Sequence, residues 1–233
     1  MEKVINLLIP HVGEQIFQSI ETDELVKYFL VSETWRVLAE NVLLNRWKGG
    51  FFEACTRGKT EIVKLLLDSD LIIEINAKSK HGWTAYSIAC ANGHKDVVQL
   101  LLDHSDRNIY YNEKCQNGLT GFMFACHCGN NEVVQLLLNH SDPTIDLNAK
   151  ANNGFTGLMF ACQMGRTDIV HMLLSYSKIE LNAKSNHGRT ALMIACEDGY
   201  TDVVRLLGNS PKIELDAKCN LGRTALMFAC EDG

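Results

Sequence analysis

The stretch GRTALMIACEDG, residues 188 to 199, returns with a single change as GRTALMFACEDG at residues 222 to 233. The same pattern appears three times before them, as GWTAYSIACANG from Gly82, GLTGFMFACHCG from Gly118 and GFTGLMFACQMG from Gly154. The steps between the five segments are 36, 36, 34 and 34 residues, and a shorter match, FFEACTRG, ends at Gly58. A period of this length is typical of a stacked array in which each unit buries its apolar face against its neighbours.

Each unit predicts two short helices joined by a tight turn. A threonine hydroxyl can accept from the free amides at a helix N-terminus, so a first helix of about eight residues should begin after Thr84, Thr120, Thr156, Thr190 and Thr224. The glycine that follows suits the left-handed turn that ends such a helix. A second helix then has apolar residues at helical spacing and an acidic residue in its first turn, as in DVVQLLL from Asp96. Polar stretches such as LNAKSNHGRT from Leu181, which we call the fingers, connect the units.

The cysteines form a column rather than a cluster. Six of the nine follow an alanine and recur once per unit: Cys55, Cys90, Cys126, Cys162, Cys196 and Cys230. Stacked helices lie about 8 to 10 Å apart, which exceeds the Cα separation of about 7 Å that a disulfide tolerates. The column therefore predicts packing by small apolar side chains, in keeping with a reducing compartment.

The pattern G-x-T-x-L-x-x-A-x-x-G, followed by an acidic residue, two β-branched residues and a leucine run, resembles the ankyrin repeat over residues 51–233. The resemblance implies an all-α solenoid of helix-turn-helix repeats: a degenerate first repeat, four full repeats and a final repeat that stops after its first helix at Gly233. We expect this last repeat to be truncated. Ala or Gly replaces the family's usual proline, and Ser79, Cys115, Ala151, Ser185 and Cys219 replace its finger aspartate. We expect some hydrogen bonding within each repeat to be lost.

Residues 1–48 lack the repeat and predict a separate small helical domain, joined to the array through only Lys48, Gly49 and Gly50. Their apolar spacing resembles an F-box. The resemblance implies docking onto the adaptor of a cullin-RING (SCF-type) ubiquitin ligase through Pro10, Ile16, Phe17, Leu25, Val31 and Trp35. The chain would then be a substrate receptor. The alternative is a non-ligase scaffold or host-interaction protein whose N-terminal helices only cap the stack.

The ankyrin resemblance also implies where a partner binds: on a concave face built from finger tips and the first helices. The residues that follow the finger glycines are Trp83, Leu119, Phe155, Arg189 and Arg223, and the first helices add His127, Gln163, Met164, Glu197 and Asp198. The N-terminal half of this set is apolar and the C-terminal half charged. We therefore expect a protein target with an apolar segment followed by charged residues. A column of finger lysines, Lys78, Lys114, Lys150, Lys184 and Lys218, is expected to be solvated.

Composition and motifs argue against other functions. A net charge of −6 without a Lys/Arg cluster excludes a nucleic-acid partner. No apolar run approaches the roughly 20 residues that span a bilayer, and the start lacks the features of a signal peptide. We expect an intracellular location, cytoplasmic or nuclear, in the host cell if the protein is viral. Cys126, His127 and Cys128 lack the second pair of ligands that zinc requires, and no catalytic or phosphate-binding motif appears. We expect no enzyme activity, metal or cofactor.

One second helix differs from the others. Gly208 occupies the position that Leu102, Leu138 and Leu174 hold in the earlier repeats. Loss of a buried leucine and gain of a helical glycine predict a locally weakened helix.

Overall fold

The computed structural model describes residues 50–68, 73–104, 108–140 and 145–231, and every regular element in those residues is an α-helix. The F-box-like segment, with Pro10, Ile16, Phe17, Leu25, Val31 and Trp35, lies outside the described residues. The first helices of the repeats are α1 (Phe51–Thr56), α3 (Ala85–Asn92), α5 (Gly121–Cys128), α7 (Gly157–Gln163), α9 (Ala191–Glu197) and α11 (Ala225–Glu231). The second helices are α2 (Thr60–Asp68), α4 (Lys95–Asp103), α6 (Asn131–Asn139), α8 (Thr167–Ser175) and α10 (Thr201–Gly208).

Threonine caps begin the first helices, as the sequence predicts. The hydroxyl oxygens of Thr120, Thr156 and Thr190 each accept from the main-chain N–H three residues on. In α3 the cap is reciprocal, because Thr84 accepts from the Ser87 N–H and the Ser87 hydroxyl oxygen accepts from the Thr84 N–H. These bonds satisfy amides that the helix itself leaves free, and they confirm the predicted starts of α3, α5, α7 and α9.

The turn between the two helices of a repeat is closed by a residue of the next repeat. Gly93 has a φ of 74°, and a Cβ there would lie 2.9 Å from Asn130 Oδ1. Asn130 donates through Nδ2 to the carbonyl oxygens of Cys90 and Ala91, at 2.7 and 2.8 Å. Glycine is thus required twice, by its backbone angle and by the neighbour beneath it.

The core runs without interruption from repeat to repeat. First helices pack on first helices and second helices on second helices, and a single cluster of buried side chains extends from Phe51 to Phe228. Five residues of the cysteine column are at most 8% exposed, and only Cys230 is exposed. All nine cysteines are free thiols. The column therefore contributes to packing, as predicted.

The fingers are tied together by side chains that donate to main-chain oxygens of the next or the preceding repeat. Lys114 Nζ donates to Lys150 O at 2.8 Å, and Lys150 and Lys184 repeat the contact at 2.9 Å. A second set of donors is Gln116, Asn152, Asn186 and Asn220, each bonded to the finger before its own. The five finger lysines are exposed to solvent, as expected. In addition, the ammonium groups of Lys114, Lys150 and Lys184 reach a carbonyl of the next finger, and that of Lys78 pairs with Glu113.

Two serines at the position of the missing finger aspartate accept hydrogen bonds within their own fingers. Ser79 Oγ accepts from the Trp83 N–H at 3.1 Å, and Ser185 Oγ accepts from the Arg189 N–H at 3.2 Å. The expected loss of hydrogen bonding within the repeats is therefore only partial. The two bonds also fix the main chain of Trp83 and Arg189, the residues that follow the finger glycines.

Helix α10 is shorter than its counterparts. It has eight residues and ends at Gly208, whereas α2, α4, α6 and α8 each have nine. At the equivalent position Leu102 and Leu138 are 2% and 4% exposed and Leu174 is half-buried, but a Cβ on Gly208 would meet no atom within 4 Å. Packing at the end of this helix is thus lost, in agreement with the predicted weak point.

Candidate protein-binding site

Successive first helices pack on one another along the array. We call the set of candidate binding residues that these helices and the preceding fingers carry the first-helix face. It is made of the residues proposed from the sequence: Trp83, Leu119, Phe155, Arg189, Arg223, His127, Gln163, Met164, Glu197 and Asp198. Most of these are partly or fully exposed. Phe155 is the exception, since only 8% of it is exposed.

At the N-terminal end of the face, Trp83 is held by the repeat that follows it. Its ring stacks on Phe124 of α5, with 4.0 Å between ring centroids and 29° between planes. Phe124 itself is buried, while Trp83 remains partly exposed. Together with the bond to Ser79, this stack fixes the indole in one orientation, so a partner can bind it with little loss of side-chain entropy.

The middle of the face differs from the expectation of exposed aromatic side chains. The Phe155 ring turns into the core, with its centroid 5.4 Å from that of Phe160 in α7. His127 meets the same Phe160 ring edge-on at 5.8 Å. Phe155 is therefore a core residue, because Phe160 offers it an apolar neighbour that the sequence pattern of its own finger does not reveal.

His127 is a neutral, partly buried imidazole. Burial, and then the charge of Arg166, lower the pKa of His127 below its ordinary value of 6.5. Among the described residues none hydrogen-bonds its buried Nδ1 atom. Arg166 instead donates through Nε to the His127 carbonyl oxygen at 3.2 Å. The side chain thus presents an uncharged ring rather than a cation to a partner.

The C-terminal half of the face holds charges that are already engaged with one another. Arg189 Nη1 lies 2.5 Å from Glu197 Oε2. The guanidinium groups of Arg189 and Arg223 lie 5.3 and 4.0 Å from the centroid of the Phe228 ring. Such cation–π contacts keep both guanidinium groups on the surface of the array. The charged half predicted from the sequence is present, but it is a fixed network rather than a row of free charges.

Three aromatic residues of this face escaped the sequence analysis: Phe124, Phe160 and Phe228. Each lies five residues after a finger residue of the face, and each is at most 7% exposed. They form the floor on which Trp83, His127 and the two arginines rest. Alignment of the five segments could have found them, because this position is phenylalanine in three segments and isoleucine in the other two.

A metal site, a reactive cysteine and a membrane-spanning helix each have requirements that can be compared with the described residues. No group of three or more His, Cys, Asp and Glu side chains among them is placed to hold a metal ion. Cys126 is fully buried, and burial raises the pKa of its thiol, whereas Cys128 is exposed. In the described part of the chain no helix combines the length and apolar character that crossing a bilayer requires.

The fold and the face define a helical repeat array with one exposed surface of mixed apolar and charged character. A family model described as ankyrin repeats (3 copies) matches residues 17–113, 106–185 and 177–233, so the chain belongs to the ankyrin repeat family. The ankyrin fold is typical of non-enzymatic scaffolds that bind proteins. The match begins at residue 17 and includes most of the segment that resembles an F-box, and the comparisons give no support to that second resemblance.

A solved structure, the crystal structure of EF0377, an ankyrin repeat protein, is similar to this chain. The two are 27% identical and superpose with a TM-score of 0.69, covering 79% of this chain and 92% of that one. A comparison with curated protein sequences finds no match. The similarity supports the all-α ankyrin fold over most of the chain.

Proposed function

We propose that the first-helix face captures one protein target and that the chain acts through this binding. The stack of Trp83 on Phe124 carries the proposal, because rigid and partly exposed aromatic side chains are the usual anchors of protein interfaces. Leu119 and Met164 add partly exposed apolar area in the following repeats. Repeat arrays use such extended surfaces for recognition.

The face favours a target with two different ends. Around Trp83, Leu119, Gln163 and Met164 it offers apolar and neutral groups, which suit an apolar segment. Around Arg189, Arg223, Glu197 and Asp198 the face offers positive and negative groups within a few ångströms of one another. Such a surface suits charged target residues whose order complements it. Phe155 supports this surface from beneath.

Mutation of the exposed anchors tests the proposal. The full chain is used to capture its target, which is identified by mass spectrometry, and the affinity is then measured with Trp83→Ala and with Trp83→Ala/Met164→Ala. We expect the affinity to fall by at least tenfold. Tyr110→Ala is the matched control, because Tyr110 is an aromatic residue, 58% exposed, that is not among the residues of the face. Unchanged affinity in the double variant, or an equal loss in the control, contradicts the proposal.

The finer proposal is that the chain is a substrate receptor of a cullin-RING ubiquitin ligase. Its support is the resemblance of residues 1–48 to an F-box, with adaptor contacts through Pro10, Ile16, Phe17, Leu25, Val31 and Trp35. The join to Phe51, where α1 begins, is short. A short join would present a captured target at a defined angle to the ligase.

The second candidate is a scaffold without a ligase, in which the N-terminal residues only cap the array. The ankyrin match from residue 17 favours it. Co-purification of the full chain with the ligase adaptor separates the two candidates, with Phe17→Ala as the variant and Tyr110→Ala as the control. Adaptor binding that Phe17→Ala abolishes supports the receptor, and no binding by the intact chain supports the cap.

A further inference from the structure

We call the contact between the first helices of two successive repeats a joint. Two of these joints require glycine. Gly121 is the first residue of α5, and a Cβ there would lie 2.6 Å from Tyr86 Cε1 of the preceding repeat. Gly157 begins α7 in the same way, and its Cβ would lie 2.6 Å from Phe122 Cε1. Neither glycine has a positive φ. The need for glycine therefore comes from the ring that packs against it, not from the backbone.

The other joints of this kind carry a different pair of residues. In the next two joints, a leucine stands where Tyr86 and Phe122 stand above, and an alanine stands where the glycine stands. The pairs are Leu158 with Ala191 and Leu192 with Ala225. A large ring is thus matched by glycine and a leucine by alanine, so that each joint is filled without a clash. The first joint departs from this pairing, because Phe51, which lies four residues before Cys55 as Tyr86 lies before Cys90, is followed in the next repeat by Ala85. There the ring belongs to the first residue of α1 rather than to the second residue of its helix.

The glycine joints coincide with ring contacts on the first-helix face. Trp83 stacks on Phe124 across the joint of α3 and α5, which contains Gly121. His127 meets Phe160 across the joint of α5 and α7, which contains Gly157. Among the described residues, these are the two joints at which an aromatic ring of one repeat contacts an aromatic ring of the next on the first-helix face.

From this geometry we propose that Gly121 and Gly157 are positioning residues for the first-helix face. By letting an aromatic ring fill the joint, each glycine sets how closely two first helices approach, and that distance places the ring contact at the surface. The consequence for recognition rests on the proposed protein-binding function, because the rings so placed are its apolar anchors. The geometric part concerns this chain alone.

The position of Trp83 can be followed without a partner. The full chain is labelled with 5-fluorotryptophan, and the Trp83 resonance, one of three from tryptophan, is assigned with Trp83→Phe. Phe124→Leu gives the resonance of an unstacked indole. We expect Gly121→Ala to move the Trp83 resonance at least halfway to that position. We expect Tyr86→Leu/Gly121→Ala, which recreates the leucine–alanine pair, to bring it back to within one linewidth of the wild type.

Gly157→Ala is the matched control, since it introduces the same clash one joint further along and should leave the Trp83 resonance in place. The proposal is overturned if Gly121→Ala leaves that resonance unmoved, if Gly157→Ala moves it equally, or if the double variant fails to restore it. Should Gly121→Ala not fold, the double variant decides in the same way. No partner enters the measurement, so its failure is distinct from failure of the face to bind protein.

Discussion

The Arg189 guanidinium lies against the Glu197 carboxylate, with 2.5 Å between Nη1 and Oε2. Both side chains are about one third exposed, at 33% and 32%, so water screens their attraction. Arg189 also lies 5.3 Å from the centroid of the Phe228 ring in the next repeat. The ion pair therefore does more to orient the guanidinium over that ring than to stabilise the fold.

Loss of the ion pair should accordingly have a small effect on stability. We expect Glu197→Gln to lower the free energy of unfolding by less than about 1 kcal/mol, and the effect to shrink at high salt. Urea denaturation at two salt concentrations measures it. Asp202→Asn is the control, because Asp202 pairs with Arg205 at 2.9 Å in a far more exposed setting. A loss above about 2 kcal/mol would show that the pair is structural.

The buried thiols predict a decrease in stability at alkaline pH. Burial raises the pKa of Cys90 to about 12, against an ordinary value of 9.0, and raises those of Cys55, Cys126 and Cys162 as well. Above pH 9.0 the unfolded chain loses thiol protons that the folded chain keeps. The unfolded state then binds fewer protons, so the free energy of unfolding falls as pH rises, by about 1.4 kcal/mol per pH unit for each thiol.

The slope between pH 9 and pH 10.5 is the quantity to measure, by urea denaturation of the wild type and of Cys126→Ala. We expect the variant to have the shallower slope, by about 1 kcal/mol per pH unit, because the unfolded thiol is only half deprotonated at the start of this range. Comparing slopes removes the constant cost of the truncated side chain. Cys230→Ala is the control, since Cys230 is the exposed member of the cysteine column. Equal slopes in wild type and Cys126→Ala would contradict the prediction.

Helix α10 should open more readily than α8. It is one residue shorter, and Gly208 leaves its end without packing. We expect lower hydrogen-exchange protection over residues 201–208 than over 167–175. Gly208→Ala should raise protection and add up to about 1 kcal/mol of stability, because alanine favours the helix and a Cβ there meets no neighbour. Equal protection of the two helices in the wild type would rule the idea out.

The threonine caps should each matter to their repeat. Thr156 accepts from the Met159 N–H at 3.4 Å and is 3% exposed. Thr156→Ala leaves that amide without its partner, and we expect a loss of about 1 kcal/mol in the free energy of unfolding. Thr156→Ser keeps the hydroxyl and serves as the control. Thermal denaturation of the two variants should separate them by several degrees, and coinciding curves would argue against a role for the cap.

Much of the fold could be predicted because each repeat encodes its own helices. Thr190 and Gly199 act through backbone bonds and angles within a few residues, so their roles follow from local spacing. The cysteine column follows from the same reasoning, since a residue that recurs once per repeat beside alanine occupies an equivalent packed position. Residues of this kind need no knowledge of the neighbouring repeat.

The binding face could be predicted only in part, because its details depend on side-chain contacts within and between repeats. Phe155 occupies the same finger position as Trp83, yet it turns into the core against Phe160 while Trp83 stays partly exposed on Phe124. Lys150 is exposed, as the sequence predicts, but its bond to the carbonyl of Lys184 becomes evident only when the following finger is placed beside it. The Phe155 contact depends on how a finger folds onto the first helix of its own repeat, whereas the Trp83 and Lys150 contacts depend on distances of a few ångströms between neighbouring repeats.

The finger bonds have a consequence for how such a chain can change in evolution. Lys114, Lys150 and Lys184 donate to main-chain oxygens, which every residue type carries. A repeat that is copied, deleted or exchanged can therefore join the fingers of new neighbours without any matching substitution in them. The fingers therefore place no limit on which repeats can be neighbours. The first helices do, because a large ring in one repeat requires a small residue in the next.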